Sequence, residues 1–247
     1  MLKRLQLYKP RASSLFNIMT DAISIDPELM TDDARVIQKK RKREPAEQEL
    51  LDRLRAASLS DGAKTYLDKC AKELFYDYNP DKGSKHTEKG IEVEDQSIEL
   101  LNSVFFSSYE KNTERRETDY LTGEPDIYTG SEIIDVKSSW SLDTFPASAR
   151  AGDKKEYEWQ MRAYMHLFSA EKATVAYCLV DTPDHLIGYE DEDLHIVSHK
   201  IPPELRITKV VYTRDMDLEK KLIERCKVAQ EYVRAELFRI EAAHTGI

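Results

Sequence analysis

The stretch GEPDIYTGSEIIDVKSSW, residues 123–140, sets three charged side chains into an apolar strand pattern: Asp126, Asp135 and Lys137. In a strand, residues i and i+2 share a face. Ile133, Asp135, Lys137 and Ser139 therefore point to one side, and Ile134, Val136 and Trp140 to the other, the expected core side. With Thr129-Gly130 as a two-residue turn, Asp126 faces Ile133 and lies diagonal to Asp135, roughly 7–8 Å away or less. Two carboxylates that close repel unless a cation intervenes. Oxygen donors of this kind suit Mg²⁺ or Mn²⁺, which take one or two carboxylates plus substrate phosphates. A neighbouring lysine stabilises phosphate charge, or orients and deprotonates an attacking water. These are the parts of a metal-assisted phosphodiester hydrolysis. The bland alternative is an exposed hairpin with one wet face. The strongly apolar run before Lys137, and Pro125 before Asp126, weigh against it.

The elements that must position these residues follow from periodicity. The N-terminal part reads as helical. A short helix starts near Ser13 or Ser14, either of which suits an N-cap. DDARVIQKKRKR and PAEQELLDRLRAAS follow, with Pro45 in a first helical turn. Ser60-Asp61 opens a helix in which Tyr66, Leu67, Cys70, Leu74 and Tyr78 keep helical spacing. Residues 79–90 read as a turn-rich loop, and 91–107 as a helix. The strand hairpin spans about 117–140, and after a polar loop residues 154–168 return to helical spacing. Strands are predicted over 173–180 and at the end of KIPPELRITKVVYTRD. A terminal helix over 216–243 carries Leu222, Cys226, Ala229, Val233 and Leu237 on one stripe. The order predicts a mixed α/β (α+β) fold, a small mixed sheet flanked by helices, in one domain. Its parts are a helical region over 1–80, a core over 85–215 and a C-terminal helix over 216–247.

Composition narrows the function classes. Of 247 residues, 40% are hydrophobic and 34% charged, enough for a sizeable core under a very polar surface. No apolar run approaches the roughly 20 residues of a membrane helix, and MLKRLQLYKP has no signal-peptide apolar region. Cys70, Cys178 and Cys226 lie far apart and show no zinc or iron–sulfur spacing, which fits reduced thiols in a cytosol. The net charge of −9 argues weakly against a nucleic-acid partner, but it is uneven. Residues 35–43, RVIQKKRKR, hold six basic residues and no acid, whereas DTPDHLIGYEDEDL is strongly acidic. A local basic face binds phosphates even on an acidic protein, although a solvated helix face is the bland reading.

Pro125-Asp126, eight residues, then Asp135-Val136-Lys137 resembles the PD-(D/E)XK signature of the metal-dependent nucleases. Two further matches make the resemblance specific. Gly90 and Glu94 in KGIEVEDQSIELL are similar to a Gly-x-x-x-Glu pattern on the helix before the hairpin, which supplies an additional acid. Gln160 and Tyr164 in EWQMRAYMHLF are similar to the Gln-x-x-x-Tyr motif on the helix after it. Residues at i and i+4 share a helix face. The four parts occur in the family's order over roughly residues 85–180, and they resemble the RecB-type and lambda-exonuclease-like branch. More loosely, RASSLFNIMT resembles the first helix of lambda-type enzymes, where basic and hydroxyl groups near a helix N-terminus hold a 5′-phosphate.

The resemblance implies a restriction-endonuclease-like core and a Mg²⁺- or Mn²⁺-dependent DNA exonuclease. The expected polarity is 5′→3′ on linear duplex DNA, leaving 3′ single-stranded tails for an annealing protein. Glu94, Asp126, Asp135 and the Val136 carbonyl would hold metal, and Lys137 would position or activate water. Gln160 and Tyr164 would orient the site or the scissile strand. Arg11, Ser13 and Ser14 would hold the 5′-phosphate, with Ser138 and Ser139 near a phosphate oxygen. The family further implies a ring-like homo-oligomer, commonly a trimer. It also implies a phage or prophage origin, action in the bacterial cytoplasm, and no membrane. The alternatives are a structure-specific or restriction-type endonuclease of the same fold, and a non-catalytic DNA-binding module.

Overall fold

Capping chemistry places the helix starts after Thr31, Glu44 and Ser60 where the sequence puts them. The computed structural model describes residues 8–79 and 83–245. Its helices are α1 Phe16–Met19, α2 Asp32–Gln38, α3 Pro45–Ala57, α4 Asp61–Tyr76, α5 Lys85–Glu92 and α6 Glu94–Phe105. They continue with α7 Ala149–Gly152, α8 Lys155–Phe168, α9 Asp184–Ile187, α10 Glu192–His195 and α11 Met216–Thr245. The strands are β1 Arg116–Glu117, β2 Thr122–Gly123, β3 Ile127–Tyr128, β4 Glu132–Ser138, β5 Lys172–Cys178 and β6 Ile207–Thr213. The Ser60 side chain accepts from the Ala63 N–H at the start of α4. Pro45 opens α3 inside a Glu44/Glu47 capping box.

Four expectations are corrected. Neither Ser13 nor Ser14 caps a helix: both lie in a 3-10 turn, Ala12–Ser14, and Leu15 precedes α1 without a side-chain cap. The basic run is not helical throughout, because α2 ends at Gln38. The 79–90 loop is shorter, since Ser84 accepts from the Thr87 N–H and starts α5. The next helix is not continuous: Val93 breaks it, as the last cap of α5 and the first of α6.

The chain divides into two compact units, one from the first 80 residues with 119–121 and 220–247, the other from 81–118 and 122–219. In the first, α1 packs on α4, and Ile25, Ala34 and Leu51 form a small core with Met30, Ile37 and Leu54. The α11 stripe Leu222, Cys226, Ala229, Val233 and Leu237 is buried as its spacing predicts.

The second unit holds a four-stranded sheet of order β3-β4-β5-β6, beside the small β1–β2 pair. β3–β4 and β5–β6 are antiparallel; β4 and β5 are parallel, joined through α8. One face of the sheet packs Ile134, Val136, Ala176 and Cys178 against Val93, Ile98 and Leu101. α8 lies on the other face, burying Met161, Tyr164, Met165 and Phe168. β4 is thus buried on both sides, with Ile133 at 0% and Asp135 at 1% exposure. This excludes the bland alternative of a hairpin with one wet face. A parallel pair needs a crossover helix, and that helix covers the face the charges occupy. Cys70, Cys178 and Cys226 are buried and unpaired. Among the described residues no helix is long and apolar enough to cross a membrane.

Candidate active site

The turn of the hairpin decides where its charges fall. Tyr128 pairs with Ile133 and Ile127 with Ile134, so the connection is four residues long, not two. Gly130 takes φ +90°, a conformation that a side chain disfavours. Thr129 and Glu132 close the turn through backbone and hydroxyl bonds. Continuing that register sets Asp126 opposite Asp135, closer than the diagonal placement expected. Asn112 fixes the approach: its N–H donates to the Asp126 carbonyl at 2.7 Å and its Nδ2 to the Pro125 carbonyl at 2.9 Å.

Asp126 Oδ2 accepts from the Val136 N–H at 2.6 Å. Burial, then the charge of Asp135, push the Asp126 carboxyl up to about 7, against the pull of Lys137 and of the Val136 N–H. Asp135 Oδ1 accepts from Gln160 Nε2 at 3.1 Å. Its Oδ2 is buried without a hydrogen bond, although the Lys137 ammonium lies 2.6 Å away. The contact is an ion pair. Burial alone would pull Lys137 down, but the charges of Asp135 and Asp126 outweigh it and raise it overall. Lys137 is therefore an ammonium, suited to meet negative charge and not to take up a proton.

Gln160 and Tyr164 sit one turn apart on α8 and join one chain of bonds. The Gln160 amide spends its second donor on the Tyr164 hydroxyl at 3.0 Å, which donates to the Glu124 carbonyl at 3.2 Å. Both are positioning groups here. One orients Asp135, and the other ties down the backbone two residues before Asp126. The Ser138 hydroxyl pairs with Ser97 at 2.9 Å, and Ser139 is buried, its N–H donating to the Cys178 carbonyl. Glu94 opens α6 and pairs with Lys111 at 2.6 Å; its charge adds to the upward push on Asp126. Arg11, Ser13 and Ser14 lie in the first unit, where Arg11 and Ser13 are exposed and Ser14 bonds Tyr66.

Four residues of this region lie outside the sequence motifs. Lys111 neutralises Glu94 from a loop 17 residues on, with no local signal. Tyr157 puts its ring 5.1 Å from the Lys137 ammonium, and Lys154 lies over the same ring at 5.7 Å. Lys89 is fully buried and donates to the carbonyls of Ser139, Trp140 and Val180 and to the Thr182 hydroxyl. Its signal was available: it lies on the helical stripe of His86 and Val93, where an apolar residue is expected.

Among the described residues no group of three or more His, Cys, Asp and Glu converges as a metal cage. What converges is the aspartate pair. The Lys137 ammonium contacts Asp135 Oδ2, yet the charge of Asp135 still drives the neighbouring Asp126 carboxyl up, so the pair retains uncompensated negative charge. That fits a cation such as Mg²⁺, which takes one or two carboxylates and completes its shell from water and phosphate.

No protein-family model matches the chain, and no curated protein matches it. Solved structures do. A phage-related exonuclease from Haemophilus somnus 129PT is 31% identical, with 97% of this chain and 100% of that one covered, at a TM-score of 0.79. The alkaline exonuclease LHK-Exo of Laribacter hongkongensis shares the fold at a TM-score of 0.62 and 11% identity, over 100% of this chain and 99% of that one. A second structure of that enzyme, in complex with dAMP, aligns at a TM-score of 0.59 and 12% identity, over 99% and 96% of the two chains. With the aspartate pair, lysine and glutamine in one cluster on a shared fold, the chain belongs to the family of phage-related exonucleases, in the lambda-exonuclease-like branch of the PD-(D/E)XK nucleases.

Proposed function

We propose that this exonuclease is Mg²⁺-dependent and degrades linear duplex DNA 5′→3′, leaving 3′ single-stranded tails for a recombination partner. The observation that carries the reading is the half-buried Asp126 beside the buried Asp135, with the Lys137 ammonium 2.6 Å from Asp135. Asp126, Asp135, the Val136 carbonyl and Glu94, once parted from Lys111, are the metal-holding groups. The bound metal supplies an activated water and neutralises phosphate charge. Lys137 holds an ammonium against the developing negative charge at the phosphate. Gln160 keeps Asp135 in one rotamer, and Tyr164 anchors the Glu124 backbone, so the two carboxylates meet substrate pre-organised. Arg11, Ser13 and Ser14 are assigned to the 5′-phosphate, and Ser138 and Ser139 to a phosphate oxygen. A single-strand annealing protein and a ring-like oligomer belong to the same reading, as does action in the cytoplasm of a phage host.

Timed digestion of linear duplexes, labelled at one end, tests it. Mg²⁺-dependent release from 5′ ends is expected, slower from 5′-hydroxyl than from 5′-phosphate ends. Asp135→Asn and Lys137→Met should each lower the rate by at least about a hundredfold, in keeping with lost electrostatic stabilisation. Closed circles cut as fast as linear ends are resected would place the enzyme among endonucleases. Equal rates on the two 5′ ends would remove Arg11, Ser13 and Ser14 from the assignment.

A further inference from the structure

The run RVIQKKRKR lies outside the catalytic cluster, in the first unit, and the fold treats its six cations in two ways. Three are spent internally. Arg35 pairs with Asp32 at 3.0 Å, and Lys40 pairs with Glu47. Arg43 turns back on α2: its Nε donates to the Ile37 carbonyl at 3.2 Å and its Nη2 to the Gln38 carbonyl at 2.7 Å. A helix leaves its last carbonyls without partners, so Arg43 serves as a side-chain cap for α2. The capping box of Glu44 and Glu47 then starts α3 at once. These bonds hold the connecting turn by both ends.

The other three, Lys39, Arg41 and Lys42, stand on that turn, their side chains exposed and without an ion pair or hydrogen bond among the described residues. A merely solvated helix face pairs its charges with acids at i+3 or i+4. Here the helix stops, no acid lies within the run, and three like charges occupy four successive positions. On a chain of net charge −9 this is a local inversion of sign with its geometry fixed from within. The three neighbouring like charges repel one another, and a bound polyanion relieves that repulsion.

We propose that the Lys39–Arg41–Lys42 tip is a docking surface for the phosphate backbone of duplex DNA, separate from the catalytic cluster. The inference rests on the nuclease reading, which supplies the polyanion. Three cations on a braced turn fit contact with the phosphate backbone, which sets affinity and not sequence preference. Neutralising a phosphate releases counterions, so each contact adds about 0.9 to the slope of log binding constant against log salt.

The experiment compares the full chain with K39Q/R41Q/K42Q, measuring anisotropy of a labelled blunt duplex in EDTA across a KCl series. Without metal there is no cleavage, and binding is read alone. The triple variant should bind about tenfold or more weakly at low salt, with a slope shallower by about 2–3. K39R/R41K/K42R should keep the wild-type slope. Because none of the three side chains has a partner to lose, melting temperatures should match, which separates the effect from misfolding. If wild type binds and cuts duplex DNA but the triple variant keeps the same slope and affinity, the proposal fails while the nuclease reading stands. It fails equally if the tip binds an acidic protein segment and leaves the DNA slope unmoved. If wild type neither binds nor cuts duplex DNA, the nuclease reading falls first.

Discussion

Replacing Lys89 by Met makes the strictest test of how the ends of β4 and β5 are held. The ammonium donates to the carbonyls of Ser139 at 2.7 Å, Trp140 at 3.0 Å and Val180 at 3.0 Å, and to the Thr182 hydroxyl at 2.8 Å. It has three protons for four oxygens, so one is shared. Thr182 and the Trp140 carbonyl also bond each other at 3.0 Å, and they keep that bond in the variant. The carbonyls of Ser139 and Val180 lose their donor in a dry place, at about 1–3 kcal/mol each, or about 2–6 in total. Against this, Met removes a buried charge. Burial pushes Lys89 from 10.5 down to about 8, with Asp181 pulling the other way. At one pKa unit per about 1.4 kcal/mol, the relief is about 3 kcal/mol.

The two terms nearly offset each other at neutral pH and separate in alkali. Below about 8 both folded and unfolded chains carry the proton, and above 10.5 neither does. In between, the unfolded chain binds more protons, so the Lys89 contribution to stability rises with pH. From pH 7 to pH 10 that rise is about 2–3 kcal/mol in the wild type and absent in the variant. Urea unfolding of both proteins at the two pH values reads the difference directly, since all other titrations cancel. Lys89→Met should cost between nothing and about 3 kcal/mol at pH 7, and about 2–3 kcal/mol more at pH 10. An identical cost at both pH values would refute the argument that Lys89 is a desolvated ammonium held by oxygens.

Two further perturbations probe the catalytic cluster. Gln160→Leu strands Asp135 Oδ1 and frees the Tyr164 hydroxyl; it should cost about 1–3 kcal/mol of stability and lower kcat with little change in KM. Wild-type turnover would show the amide to be idle. Tyr157→Phe keeps the ring beside the Lys137 ammonium and should leave turnover near wild type. Tyr157→Leu forfeits about 0.5–2 kcal/mol of cation–π attraction and should slow turnover about 2- to 30-fold. Equal rates for the Phe and Leu variants would show that the ring does not hold Lys137.

The spacing of Asp126, Asp135 and Lys137, with Gln160 and Tyr164 one helical turn apart, was legible because strand and helix periodicities are local. Those periods place side chains on faces whatever the rest of the chain does. The register was not legible. Thr129-Gly130 suits a two-residue turn, yet the closure through Thr129 and Glu132 makes it four, which moves Asp126 from opposite Ile133 towards Asp135. Nor was the partner of a long-range cation: nothing near Glu94 announces Lys111, and nothing near Ser139 announces Lys89.

The sequence by itself determined the element types, the helix starts at Pro45 and Asp61, and the α11 stripe. Each rests on interactions within a few positions of the chain. Only the tertiary structure decided that the face bearing Asp135 is closed. The parallel pairing of β4 with β5 requires a crossover, and that crossover lays α8 over the carboxylates. Burial and the charge of Asp135 then push the Asp126 carboxyl up to about 7, the two aspartates hold Lys137 charged against that burial, and the Gln160 amide is committed to Asp135. Desolvation depends on what covers a group, and what covers Asp135 comes from a helix 25 residues away in sequence.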